Sequence, residues 1–377
     1  MNILYIGHEE YINGASKSLL SIIDYEIPNN NIFVLTSYGS GEFYDELKKR
    51  DVSIICLPFY RWVEAKDGNI NWIKLKIKWV LKRQFVNYIT AKKAAAICDS
   101  KHIDIIHTNT SVINIGMLIS RRTKAKHVWH LREFGDLDFN MYPLISARKM
   151  WKQMNLYTDK FICISKAIYK HYKCLDSEKK ILIYNGVENK INAITNKEHH
   201  SDIKFLIAGR ISEAKGQKIV IEAAKKLLAI GIENFKIFFA GSGRMPDNYD
   251  KVIVGKYIEQ LGYINDMNEL RSGMDVELVC SRAEAFGRVT AEAMFAKMPV
   301  IGSRSGGTPE LIIDGETGFL FAPGDSNELA EKMLYFIENP SMISIMGNKA
   351  FKYACDNFTM DRCVKEINML YNRLVKD

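Results

Sequence analysis

The sequence predicts an α/β protein made of two parallel-sheet domains. Three observations lead there. Short β-rich runs alternate with amphipathic or Ala-rich runs along both halves, the pattern of strands joined through crossover helices. A length of 377 residues lets each half bury its own core. A polar stretch over 189–201, with Asn, Lys and the His199–His200 pair, separates the halves and reads as a solvated linker.

In order, strands are expected over 2–7, 31–36, 52–57, 103–107, 127–131 and 160–164, with helices over 15–24, 85–99 and 111–122. The second half repeats the alternation, with strands over 204–208, 235–240, 276–280 and 299–302 and helices over 216–229, 288–296 and 327–338. The last stretch places Cys363, Val364, Ile367, Leu370, Tyr371 and Leu374 at helical spacing and reads as a closing helix. The expected divisions are 1–188, a linker over 189–201, 202–358 and 359–377. Open sheets of this kind place a ligand crevice at their strand ends.

Composition narrows the class. Charged residues are 25% and apolar ones 47%, ordinary for a globular chain, which excludes a disordered tail protein. No apolar run reaches the roughly 18 residues of a membrane span. The start, Met1 to Gly7, lacks the features of a signal peptide and reads as a first strand, so a cytosolic location is expected. Seven scattered cysteines without a C-x-x-C pair argue against a disulfide framework or a zinc site and for buried free thiols. The net charge of +8 is uneven: residues 1–200 carry 30 basic against 20 acidic side chains, or +10, and the rest carries −2, so the first half is expected to face an anionic partner.

Gly209-Arg210-Ile211-Ser212-Glu213-Ala214-Lys215-Gly216 follows a strand and precedes a helix. Gly209 permits a sharp turn, Arg210 can grip phosphate oxygens with two prongs, and Lys215 adds a point charge. The spacing is not that of a Walker A loop. Glu284 and Glu292 flank Phe286-Gly287, where a helix opens at Arg288. Free amides from Arg288 onward can take diphosphate oxygens, Glu292 can accept from a ribose diol, and Glu284 can meet sugar hydroxyls. On spacing alone the two glutamates read equally well as surface acids. In Ser305-Gly306-Gly307-Thr308-Pro309-Glu310, Thr308 is expected to cap a helix with Pro309 at its first position. The first turn lacks G-x-G-x-x-G, which counts against a dinucleotide dehydrogenase. His130-Leu131-Arg132-Glu133 ends a strand, where His130 can bind a sugar or move a proton, and His107 ends another. Residues 71–93 carry Trp72, Lys74, Lys76, Lys78, Trp79, Lys82 and Arg83 without an acid, a composition suited to anionic lipid and without a nucleic-acid-binding motif.

Together the ordered set resembles the group 1, family 4 glycosyltransferases of GT-B fold, most strongly over 203–322. The set is Gly-Arg-x(4)-Lys-Gly, Gly-Ser-Gly, Glu-x(7)-Glu, Gly-Gly-Thr-Pro-Glu and Asp314-Gly-Glu-Thr-Gly318. The resemblance implies two Rossmann-like domains facing across a cleft, and a retaining, metal-independent transfer from a nucleoside-diphosphate sugar. UDP is the first expectation for the base and GDP the second, with no cofactor. It implies that Arg210 and Lys215 hold the diphosphate, Glu292 the ribose and Glu284 the sugar. It also implies that the backbone of Gly209, Phe286, Gly287, Arg288 and Val289 touches the donor, and that Ile264 lies near the base. Gly14 then belongs to the first glycine loop, here Asn13-Gly14-Ala15-Ser16 with one Gly where relatives have two, and His130 matches a functional His. Arg210, Lys215, Glu284 and His130 are the expected catalytic set. The expected acceptor is a lipid-linked saccharide in capsule or other surface-polysaccharide assembly, met at the inner membrane face. The rival readings are a sugar-nucleotide 2-epimerase without an acceptor and an inactive sugar- or lipid-binding protein.

Overall fold

The computed structural model describes residues 1–65, 72–144, 146–189, 202–245 and 253–376, without the side chains of 72–78. All but the first residue of the expected linker, including His199–His200, lies outside the described residues. The chain divides into two compact units, Met1–Gly186 with Met360–Asp377, and Val187–Thr359.

The first unit contains β1 (Asn2–Gly7), β2 (Asn31–Thr36), β3 (Ser53–Cys56), β4 (Val63–Ala65), β5 (Ile105–Thr108), β6 (Lys126–Leu131), β7 (Met141–Pro143), β8 (Lys160–Cys163) and β9 (Lys180–Leu182). Seven of these form one parallel sheet in the order β3-β2-β1-β5-β6-β8-β9, and β4 pairs antiparallel with β7. The central strands β1, β5 and β6 are buried along nearly their whole length because both faces are covered. Ile3, Tyr5, Ile105, Val128 and Ile162 form a core with Leu19 and Ile23 of the helix Gly14–Glu26. The helix Met360–Lys376 joins that core through Cys363, Val364, Ile367, Leu370, Tyr371 and Leu374. The closing helix thus belongs to the first unit. A Cβ on Gly186 would stand 2.6 Å from Met360 Cα, so the Asn185-Gly186 turn lets the returning chain approach.

The second unit contains β10 (Ile203–Ala208), β11 (Phe235–Ala240), β12 (Ile258–Gly262), β13 (Val276–Val279), β14 (Val300–Ser303) and β15 (Gly318–Phe321), parallel in the order β12-β11-β10-β13-β14-β15. In both sheets the order reverses beside the first strand, between β1 and β5 and between β10 and β13. These are the switch points where open sheets gather ligands at the strands' carboxyl ends.

Expected and observed boundaries coincide at β1, β2 and β11. The helix expected over 85–99 begins at Trp72, and that expected over 111–122 is only Ile115–Ser120. The short or edge strands β4, β7, β9, β12 and β15 were not anticipated. The Glu259-Gln260 pair of β12 is exposed at the sheet edge, where alternation is lost. All seven cysteines are free, but Cys56 and Cys174 are exposed, contrary to the expectation of burial. No helix among the described residues is long and apolar enough to cross a membrane.

Candidate active site

Because the second sheet is parallel, the loops after β10, β11, β13 and β14 leave from one edge. Glycines let them nest. A Cβ on Gly216 would stand 2.3 Å from the Cys280 carbonyl oxygen, and one on Gly241 would stand 2.1 Å from that of Gly209. Gly209 N donates to Ala240 O at 2.8 Å, Ile211 N to Ser242 O at 2.8 Å, and Arg282 N to Ala214 O at 2.9 Å. Gly306, at φ +56°, and Gly307 lie against residues 284–286, and Gly307 N donates to Glu284 O at 2.6 Å. The glycine turns therefore hold the candidate loops together.

On that edge Lys215 Nζ meets Glu284 Oε1 at 2.5 Å, and Ser281 Oγ donates to the same oxygen at 2.6 Å. The expected phosphate cation and sugar acid are thus bonded to each other. With Lys215 one-third exposed, such a pair contributes about 1 kcal/mol or less, so a phosphate oxygen can replace the carboxylate at little cost. Arg210 is exposed on the same loop, and no acid among the described residues pairs with it. Gly287, at φ +96°, precedes the helix Arg288–Phe295, and no side chain caps that helix. A helix start without a side-chain cap is the kind of end that favours an anion. Phe286 is buried and packs edge-on against Phe358, so only its backbone can reach a ligand. Ile264 is half-buried in the loop after β12, beside exposed Tyr263.

Glu292 has partners that spacing did not reveal. Arg271 Nη1 lies 3.1 Å from Glu292 Oε2, and Arg288 Nη2 lies 3.3 Å from Oε1. Arg271 is buried and also bonds Glu277 Oε2 at 3.1 Å. Burial pushes Glu277 up to about 7, against the opposing Arg271 charge. Glu292 stays one-quarter exposed, oriented by two guanidiniums. A lone Glu in a strand and an Arg in a short helix carry no sequence signal of this pairing.

Thr308 does not cap. Gly307 takes that position, Pro309 stands second in the helix, and the buried Thr308 hydroxyl has no partner among the described residues. Gly14, in the first unit, opens its helix exposed, but Asn13 Oδ1 already accepts from Ala15 N at 2.9 Å and Ser16 N at 3.1 Å. That capping box removes amides which a glycine-rich phosphate loop would offer.

His130 belongs to the first unit, whereas Arg210, Lys215 and Glu284 belong to the second. Its ring is fully buried, as is His107. Arg132 and Glu133 are also buried: Arg132 bonds Asn109 Oδ1 at 2.6 Å and Asn185 Oδ1 at 2.7 Å. Glu133 Oε1 accepts from Thr110 Oγ1 at 2.6 Å and Ser111 N at 2.5 Å. The strand end expected to line a crevice is thus largely internal framework.

Of the basic segment, the side chains of Trp72, Lys74, Lys76 and Lys78 lie outside the described residues. Arg83 is not free for lipid: it bonds Glu64 at 3.0 Å and its guanidinium lies 3.2 Å over the Trp79 ring. Lys82 is exposed. Among the described residues no group of three or more His, Cys, Asp or Glu is placed to hold a metal ion.

Known proteins similar to this chain are glycosyltransferases. Residues 189–353 match the family described as glycosyl transferases group 1, and residues 41–190 match Glycosyltransferase Family 4. The chain is a glycosyltransferase of GT-B fold, similar in its two halves to the family 4 and group 1 enzymes. It is 29% identical over 336 residues to an uncharacterized glycosyltransferase, MJ1178, of Methanocaldococcus jannaschii, covering 86% of this chain and 91% of that one. It is 26% identical to the capsular polysaccharide biosynthesis glycosyltransferase CapM of Staphylococcus aureus over 53% of each chain. The structure of Anabaena Alr3699/HepE in complex with UDP-glucose superposes with a TM-score of 0.75 at 20% identity, covering 99% of this chain and 100% of that one.

Proposed function

We propose that this glycosyltransferase moves a sugar from a UDP-sugar to a hydroxyl of a lipid-linked saccharide, with retention and without a metal, in cell-surface polysaccharide assembly. The observation that carries the reading is the strand edge bearing Arg210, the Lys215–Glu284 pair and the uncapped helix start at Arg288. These groups supply positive charge where a diphosphate leaves, the role a metal otherwise fills. Complexes of Alr3699/HepE with UDP and with UDP-glucose support the choice of base.

In this reading Arg210, Lys215 and the Gly287–Val289 amides hold the diphosphate, Glu292 the ribose, Glu284 the sugar and Ile264 the base. The C1–oxygen bond to the β-phosphate breaks with its electron pair passing to that phosphate. The acceptor oxygen bonds C1 on the same face, and its proton passes to the leaving phosphate oxygen. UDP and the glycosylated acceptor result. A covalent route needs a carboxylate nucleophile about 5 Å from its acid partner. Here Glu284 is tied to Lys215 and Ser281, which disfavours that role.

Membrane contact is part of the proposal. On the helix Trp72–Ser100, Leu81, Phe85, Tyr88 and Ile89 are exposed at i, i+4, i+7 and i+8, one apolar face beside Lys82, Lys92 and Lys93. A peripheral site on the inner, anionic leaflet suits that face.

A thermal-shift screen tests the donor. At a hundredfold excess over Kd a ligand adds about 2.7 kcal/mol, several degrees in Tm. UDP and UDP-glucose should raise Tm in the presence of EDTA, with GDP weaker. No shift with any nucleoside diphosphate contradicts the reading.

A further inference from the structure

Three charges from separate elements of the second unit form one chain. Glu277 stands inside β13, in register with Leu206 of β10 and Val300 of β14, and is fully buried. An acid in the middle of a buried strand is costly unless it is paired. Its partner is Arg271, 1% exposed, from the short helix Met267–Ser272 that Asp266 caps. Arg271 Nε bonds Glu277 Oε2 at 3.1 Å, and Nη1 bonds Glu292 Oε2 at 3.1 Å. One guanidinium thus joins a buried acid to a carboxylate that is one-quarter exposed on the helix Arg288–Phe295.

The two guanidiniums on Glu292 do different things. Arg288 sits one turn away on the same helix, so its bond sets no position relative to the sheet. Arg271 comes from another element, is buried, and is held at Nε by Glu277. Glu277 also keeps Arg271 matched in charge when Glu292 shares its oxygens with a ligand, because a buried guanidinium without a counter-charge is strongly destabilising.

We propose that Arg271, anchored by Glu277, is a positioning residue that fixes the Glu292 carboxylate for a ribose diol and so makes the site select ribonucleotides over deoxyribonucleotides. The ligand clause rests on the reading of Glu292 as ribose-facing given above. A carboxylate has about four acceptor sites, so bonds from Arg271 and Arg288 are compatible with a diol donating to it. A fixed acceptor built for a hydroxyl rejects a ligand that lacks it, whereas a carboxylate free to turn is resolvated by water and discriminates little. Arg271 and Glu277 act through Glu292 and need no contact with the ligand.

Calorimetric titration of the full chain with UDP, 2′-deoxy-UDP and 3′-deoxy-UDP tests this at pH 8, above the value of about 7 to which burial lifts Glu277. The parent should prefer UDP to at least one deoxy form by about tenfold, the size of one charge-assisted hydrogen bond. Arg271→Met with Glu277→Leu replaces the buried pair by apolar side chains, a change such pairs tolerate, and should shrink the preference to about twofold or less. Arg271→Lys keeps the charge without the planar fork and should shrink it likewise. Cooperative thermal unfolding checks that each variant is folded. A purely structural role lowers Tm or weakens all three ligands alike and leaves their ratio unchanged. A preference kept in either folded variant therefore overturns the positioning role while the ribose reading stands, provided Glu292→Ala abolishes the preference. A parent that binds UDP and both deoxy forms alike overturns the ribose reading and the proposal with it.

Discussion

Glu26 lies buried beneath the first sheet, and burial lifts its carboxyl from 4.5 to about 7 against hydrogen bonds from Asn368 and Asn30. The folded chain therefore keeps a proton that the unfolded chain releases between these values. Stability falls as pH rises from 4.5 to 7, by roughly 3 kcal/mol for this group, and is level above. Glu26→Gln removes the slope. Its Tm should exceed the parent's at pH 8 and match it near pH 5; the same offset at both would contradict the assignment. The two expected donor residues should respond differently to truncation. Arg210→Ala should abolish most transfer with Tm unchanged, because the side chain is exposed. Glu292→Ala should also abolish transfer but lower Tm, since buried Arg271 then loses a partner, a loss that costs a few kcal/mol. Equal Tm effects in thermal denaturation would contradict the Arg271 bond. At this scale the sequence showed which residues carry charge beside turns. It did not show who pairs with whom, because Arg271, Glu277 and Glu292 meet from three separate elements.

The nested turns make a testable claim about elements. Gly306 has φ +56°, and a Cβ there would stand 2.3 Å from the Glu284 carbonyl oxygen; Gly231 has φ +80° and open space around it. Alanine at either position costs about 1–3 kcal/mol of backbone strain. Only Gly306→Ala should also weaken UDP-glucose binding, by about tenfold, since it displaces the Glu284 loop. Equal affinities would contradict the nesting. On the helix Trp72–Ser100, Leu81→Glu with Phe85→Glu should end flotation with phosphatidylglycerol vesicles at low salt while leaving Tm unchanged. A parent protein that fails to float removes the membrane proposal. The helix pattern was legible where one face is buried, as for Asn87, Ala91, Ala94 and Cys98. The exposed stripe was not, because periodicity locates apolar residues without saying which stripe meets protein.

Across the whole molecule, the alternation of strand and helix identified both sheets, since parallel strands buried on two faces read as short, mostly apolar runs. The return of the last helix to the first unit was not readable: its stripe declared a buried face but not the core that receives it. Seven buried side chains, most of them worth roughly 1.5–3 kcal/mol, rival the usual stability of a domain. A chain ending at residue 358 should therefore lose the cooperative unfolding of its first unit, as calorimetry would record. The proposed function stands or falls on whether the carboxyl edge of the second sheet binds the donor diphosphate. Calorimetric titration of UDP into the parent and Arg210→Ala tests it most directly. Saturable binding by the parent is expected, with affinity at least tenfold weaker in the variant at unchanged Tm; affinities within twofold of each other would rule out diphosphate binding through Arg210.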